Sequence, residues 1–198
     1  VDFALFFFLL RANPDLSPLC DALWLVTAPE EPRAWHRRGA AAIEKLWSQP
    51  LGRYVSFDTR NDKPLPQRTH ASFLAWYGQV FTGESGAQRQ LELLKELDEF
   101  LRSTRYGLAS THPGDAGYDP RRYWRGSVWP HINWLVAEGL AEHGHASQAR
   151  RLRDDTLALI RAAGAFEYFD PATGEGLGGP DFSWTAAITL MLLQAPMD

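Results

Sequence analysis

Successive stretches of apolar residues at helical spacing, joined by connections that alternate between long and short, constrain this chain more than any other feature. From Pro29 to about Ser48, Trp35, Gly39, Ala42, Ile43 and Leu46 recur at intervals of three and four and predict one helical face. Phe73, Trp76, Tyr77 and Val80 form a shorter stripe, and Leu93, Leu97, Phe100 and Leu101 another. Ile132, Leu135, Val136, Gly139 and Leu140 follow Pro130, which suits the first turn of a helix because its missing N–H has no partner to lose there. Ala149, Leu152, Thr156, Leu157 and Ile160 run up to Gly164, a natural helix stop. Trp184, Ala187, Ile188 and Met191 carry the last helix. With an opening helix from the apolar run Val1–Leu10 and a short one near Leu16–Leu25, about eight helices are expected. Thr27-Ala28-Pro29-Glu30 reads as a capping box. Only Arg53–Asp58 reads as strand, half of one small hairpin turning at Asn61-Asp62. The expected fold class is all-α.

In a ring or stack of antiparallel helices every second connection falls on the same rim. The long connections 49–71, 104–127 and 165–181 would then gather on one face, and the short ones, 82–85 and 144–146, on the other. Structureless loops longer than about 12–15 residues are uncommon in compact domains and usually functional. That rim is therefore the candidate binding or catalytic face.

Composition narrows the function classes. A formal net charge of −4 with no basic block disfavours nucleic acid and anionic membranes as partners. The opening apolar run is far shorter than the ~20 residues of a membrane span, and it carries no signal-peptide features, so it reads as a buried helix. The single cysteine, Cys20, rules out a disulfide framework and suits a reducing, cytoplasmic compartment. Aromatics make up 13% of the chain, eight of them Trp. Such side chains suit either a large aromatic core or a cleft that must offer both an apolar face and a polar edge, as a sugar site does.

The loops supply the chemistry. Tyr123-Trp124-Arg125-Gly126-Ser127-Val128-Trp129-Pro130-His131 packs aromatics and a guanidinium ahead of a helix N-terminus, where they could stack on a sugar or simply plug the helix ends. In the last long loop Glu167 lies between Phe166 and Tyr168, a carboxylate in an apolar sleeve. Acid–base work and a helix-terminal salt bridge are both open to it. The run Gly174-Glu175-Gly176-Leu177-Gly178-Gly179 follows no strand and lacks dinucleotide-binding spacing. His143 and His145 do not share a helix face, and no metal site is expected. Arg121, Arg122 and Arg125 flank the aromatic run, where one could meet a substrate carboxylate, with Asp115 and Asp119 as alternative partners.

Phe166-Glu167-Tyr168-Phe169-Asp170-Pro171 with Thr173-Gly174, then Phe182-Ser183-Trp184-Thr185-Ala186, preceded by Tyr123-Trp124-Arg125-Gly126 and Val128-Trp129, resembles glycoside hydrolase family 63. The likeness is to its mannosylglycerate and glucosylglycerate hydrolase branch and, more distantly, to trehalase; Leu10-Arg11-Ala12-Asn13 and Asp119-Pro120-Arg121-Arg122 share it. The resemblance implies part of an (α/α)6 toroid, about seven of its twelve helices, with residues 1–198 forming the C-terminal part of one catalytic domain. It further implies inverting hydrolysis of α-glycosides without a cofactor. Glu167 would be the general base, and Tyr123, Trp124, Arg125, Trp129 and Trp184 would shape the sugar site. The family's general acid, an aspartate after a Trp, has no counterpart here; Asp2 is the one carboxylate in the opening helix. The chain is thus expected to need a missing N-terminal half and to be inactive alone. A carbohydrate-binding or structural protein derived from the same fold is the alternative. Without that half, Phe3, Phe6, Phe7 and Phe8 would leave an apolar patch and favour self-association.

Overall fold

The computed structural model describes residues 3–23 and 30–194. Asp2 and residues 27–29 of the expected capping box lie outside them. The chain divides into two compact units, Val1–Pro66 with Ala71–Leu94, and Gln67–His70 with Lys95–Asp198.

In the first unit, helix α1 (Phe3–Ala22) packs against α2 (Glu30–Ile43) and the short α3 (Leu74–Tyr77). The expected opening helix and its short successor are one continuous helix, although Pro14 and Pro18 lie inside it. Each proline removes one backbone donor. The carbonyl that Pro14 leaves without its helical partner, that of Leu10, accepts from Nδ1 of His36 at 2.9 Å, so the break is mended from α2. Gly39 makes that approach possible: a Cβ there would come within 2.7 Å of the Leu10 side chain. Phe7 is sealed edge-on against Phe3 and Tyr54, with ring centroids 5.9 and 5.4 Å away.

The second helix ends sooner than its pattern predicts. After Ile43 comes a 3-10 turn, Glu44–Leu46, and then β1 (Trp47–Ser48), paired antiparallel with β2 (Arg53–Tyr54). Trp35 and Ala42, placed by spacing on the buried face, are exposed; Ile43 is fully buried. The hairpin of β3 (Ser56–Asp58) and β4 (Lys63–Leu65) turns where expected, with the Asp58 carboxylate accepting from Arg60 N and Asn61 Nδ2 at 2.9 and 2.7 Å. Among the described residues, three small antiparallel ladders stand where the sequence suggested one. The exposed large apolar residues of α1 are Leu5, Leu9, Leu16 and Leu19; Phe3 and Phe7 are buried, and Phe6 and Phe8 half-buried, so the expected apolar patch is built of leucines.

In the second unit, α5 (Pro130–Glu142) packs on α6 (Ala146–Ala163) and α7 (Ser183–Gln194). The α5 stripe is buried as its spacing predicts. Helix α6 stops at Gly164, whose φ of 93° suits glycine. The buried face of α7 is Thr185, Ile188 and Leu192, while Trp184 and Met191 are exposed. The helix is apolar almost all round, so spacing alone could not choose its inner face. Helix α4 (Gly83–Ser103) contributes Leu97, Phe100 and Leu101 to this unit's core.

Parts of all three long connections are joined by backbone hydrogen bonds in this unit. Thr69 bridges Thr111, Ala109 bridges Val128, and Val128 bridges Phe169. Asn133 fastens them to the helices: its Oδ1 accepts from Leu108 N at 3.1 Å and its Nδ2 donates to Thr156 Oγ1 at 3.0 Å, fully out of solvent. Asn133→Ala would strand the Leu108 N–H in the core. An unfolding free energy lowered by about 2–4 kcal/mol is expected in urea titrations. Replacing Leu5 and Leu9 together by Lys is expected to raise the monomer fraction in sedimentation without lowering the melting temperature, because both side chains are already exposed.

Candidate active site

The site is built on the second and third long connections. The third makes a hairpin, β5 (Tyr168–Phe169) against β6 (Gly176–Leu177). Its turn is set by Asp170, whose buried carboxylate accepts from Ala172 N and Thr173 N at 2.8 and 3.0 Å. Gly174 completes the turn with φ of 78°. Thr185 of α7 holds the hairpin's base by donating to the Phe166 carbonyl at 2.7 Å, which is why a polar residue occupies that helix's inner face.

Glu167 leaves this hairpin half-buried. Its Oε1 accepts from the Tyr123 hydroxyl at 2.8 Å, and that bond raises the tyrosine's pKa by holding its proton. Glu167 makes no ion pair with any described residue, so the salt-bridge alternative open in the sequence is not what the fold uses. Gly178, with φ of 74°, faces the carboxylate: a Cβ there would lie 2.6 Å from Oε2.

Tyr123 has φ of 36°, a left-handed conformation that is costly for any residue but glycine. Its loop is tied on several sides. Asp119 N donates to Arg125 O at 2.7 Å, Gly126 N to Ser110 Oγ at 2.8 Å, and Ser127 Oγ to Pro120 O at 2.9 Å. Indole Nε1 of Trp129 donates to Tyr123 O at 3.3 Å. Gly126 is required because a Cβ there would meet the Asp119 carbonyl oxygen at 2.7 Å.

The aromatic residues predicted from sequence come together, but not as equals. Trp129 is nearly parallel to Trp124 (4.0 Å, 13°) and to Tyr168 (5.0 Å, 28°) and is only 3% exposed. It is the filling of a stack, with no open face for a ligand. Tyr123 and Trp124 are each 46% exposed and Trp184 62%. Trp184 joins the group through His131, edge-on at 5.8 Å. Arg125 is turned to its own loop, its Nε donating to Gly117 O at 3.0 Å. Neither Asp115 nor Asp119 takes a flanking guanidinium. Arg121 grips Glu175 with both terminal nitrogens instead, which holds the Glu175 carboxyl below its ordinary pKa.

Two histidines join the site without having been singled out by sequence. His131 lies within the aromatic motif, where its contacts to Trp124, Trp129 and Trp184 could not be read from position. His70, from the end of the first long connection, is buried with its ring edge-on to Trp124 at 5.7 Å. Burial, with a smaller contribution from His131, pushes its pKa down to about 3.

Exposed aromatics thus gather near a tyrosine-held carboxylate, and comparison with known proteins gives the family. The chain belongs to the family described as mannosylglycerate hydrolase MGH1-like glycoside hydrolase domain, which matches residues 1–185. It is 41% identical over 180 residues, 91% of its length, to the mannosylglycerate hydrolase of Thermus thermophilus. It is 36% identical over 161 residues, 79% of its length, to the glucosylglycerate hydrolase of Mycolicibacterium hassiacum. These alignments span 42% and 35% of the two relatives. The crystal structure of a family 63 mannosylglycerate hydrolase from Thermus thermophilus with Tris and D-glycerate superposes with a TM-score of 0.89 at 39% identity, covering 98% of this chain and 46% of that one. Neutral trehalase Nth1 of Saccharomyces cerevisiae shares the fold at 20% identity, with a TM-score of 0.72 over 96% of this chain and 37% of its own. The chain therefore has part of the (α/α)6 glycosidase fold. Among the described residues no helix is long and apolar enough to cross a membrane.

The buried His70 makes stability depend on pH. Its folded pKa of about 3 lies below the ordinary 6.5, so the unfolded chain takes up a proton that the folded chain refuses. The neutral ring's contribution is complete above pH 6.5 and is lost, at up to about 1.4 kcal/mol per pH unit, as pH falls toward 3. His112 and His131, also lowered by burial, act in the same direction. Urea unfolding between pH 7 and pH 4 is expected to show His70→Phe gaining on the wild type as pH falls; parallel curves would refute the neutral assignment.

Proposed function

We propose that this chain supplies the general base and part of the sugar site of an inverting α-glycosidase acting on mannosylglycerate or glucosylglycerate. The observation that carries this reading is the Glu167 carboxylate, held by the Tyr123 hydroxyl at 2.8 Å, with the open ring of Trp124 edge-on to that tyrosine and exposed Trp184 joined to the group through His131. A general base must be ionised, oriented and reachable by water. The tyrosine fixes one oxygen, and the bare backbone of Gly178 leaves room beside the other. The family and the relatives' substrates support the same assignment.

Inversion needs a second carboxyl group about 6.5–9.5 Å from the base, which protonates the departing oxygen while the base deprotonates the attacking water. The chain spans less than half the length of the curated relatives it matches, and we assign the acid to the remainder of the catalytic domain, of which residues 1–198 form the C-terminal part. Trp124 and Trp184 are the stacking surfaces in this reading. Tyr123 orients the base, Trp129 supports Trp124 from behind, and the Nη atoms of Arg125 remain available to a ligand oxygen. The lone Cys20 suits a reducing, cytoplasmic setting, and the reaction needs no cofactor.

In an enzyme completed with the remaining half of the domain, Glu167→Gln is expected to lower kcat by about 10²–10⁴-fold with little change in melting temperature, since the amide keeps the shape. Tyr123→Phe is expected to cost about tenfold in kcat, the effect of one charge-assisted hydrogen bond. Proton NMR of the first product is expected to show the inverted anomer. Near-normal turnover by Glu167→Gln would end the base assignment, and turnover by the 198-residue chain alone would end the divided acid–base pair.

A further inference from the structure

The open ring of the stack, Trp124, is held in an unusual way. It is 46% exposed, so core packing does not enclose it, and its indole N–H has no hydrogen-bond partner among the described residues. Its position is set by neighbouring rings. Trp129 lies parallel beneath it, and Tyr123 stands edge-on at 5.8 Å. Two imidazoles also meet it edge-on, His70 at 5.7 Å and 78° and His131 at 6.3 Å and 87°.

The two histidines come from distant parts of the chain, and each is anchored. His70 follows the Thr69–Thr111 bridge, and its own N–H reaches Ser110 O at 3.4 Å. His131 is the second residue of α5 and also meets Trp129 and Trp184 edge-on. Neither ring nitrogen of His70 has a partner, though the side chain is buried. A buried imidazole left without hydrogen bonds is a poor choice for simple filling, where Leu or Phe would avoid the desolvation cost. What the imidazole offers is a compact flat ring whose polarised edge is attracted by an aromatic face.

We propose that His70 and His131 are positioning residues of the sugar site, each holding Trp124 through an edge-on ring contact and so fixing the slope of the surface on which a pyranose ring stacks. The clamp rests on the reading of this surface as the sugar platform only for its purpose; the geometry of the clamp is independent of it. Its two imidazoles are neutral in this role, because burial lowers the pKa of each.

Stacked indoles give an exciton couplet in the circular dichroism spectrum, so the Trp124–Trp129 pair can be read directly in the 198-residue chain. Trp124→Phe assigns the couplet by removing it. His70→Ala and His131→Ala are each expected to weaken it strongly while the helix bands stay unchanged. His70→Phe, which restores a flat ring, is expected to keep it. D-glucose titrated against tryptophan fluorescence is expected to bind about 3–10-fold more weakly to both Ala variants and within about twofold of wild type to His70→Phe. An intact couplet in both Ala variants overturns the clamp, as does its loss in a folded His70→Phe. A couplet lost as expected, with no glucose binding by any form, upholds the clamp and refutes the sugar platform. Should His70→Ala fail to fold, the couplet of His131→Ala, whose ring is less buried, decides the matter.

Discussion

The backbone pairing of Val128 with Phe169 is the contact on which the rest of the site depends. Each residue's N–H donates to the other's carbonyl, at 2.8 and 2.9 Å, and Val128 also bridges Ala109. Through this one residue the ends of the second connection and the third are held at a fixed spacing. Tyr123 and Trp129 lie on one side of that tie and Glu167 on the other. Both partners are fully buried, with Leu159 of α6 in the same cluster, so water does not compete for the hydrogen bonds. The tyrosine–carboxylate bond thus spans two loops that are already tied together.

The second organising feature is the division of labour among the aromatics. A tryptophan can offer a face only if something else holds it, since a ring exposed on both sides would sample several rotamers. Trp129 is consumed as that support. Tyr168 backs it, Tyr123 closes its edge, and its own N–H holds the carbonyl of the strained Tyr123. The left-handed backbone at Tyr123 is thus stabilised by the residue that the loop also uses to level Trp124. Strain of this kind persists only where surrounding contacts over-determine it, and it is concentrated here on the residue that donates to Glu167.

Elsewhere the fold solves local problems with distant partners. A proline in α1 is tolerated because a histidine of α2 takes the orphaned carbonyl, and a glycine lets the two helices close on each other. The Asn133 side chain does the same for the Leu108 N–H. Such single polar contacts keep buried backbone groups satisfied where regular ladders stop.

Much of this protein was legible in the sequence because helical periodicity and turn chemistry are local. The stripes of α4, α5 and α6, the stop at Gly164 and the turn at Asn61-Asp62 each follow from residues within a few positions of one another. The two loop motifs that carry the family likeness are local in the same sense. Local pattern failed where it was ambiguous or interrupted: α7 is apolar all round, and α1 carries prolines that normally end a helix. Tertiary structure alone decided which aromatic is filling and which is surface, because Trp124 and Trp129 are alike in sequence and differ only in what packs on their faces. It also decided that Tyr123 meets Glu167 across 44 positions and that His70 reaches Trp124 at all. Those pairings depend on loops whose ends are fixed by other elements, and no short-range preference encodes them.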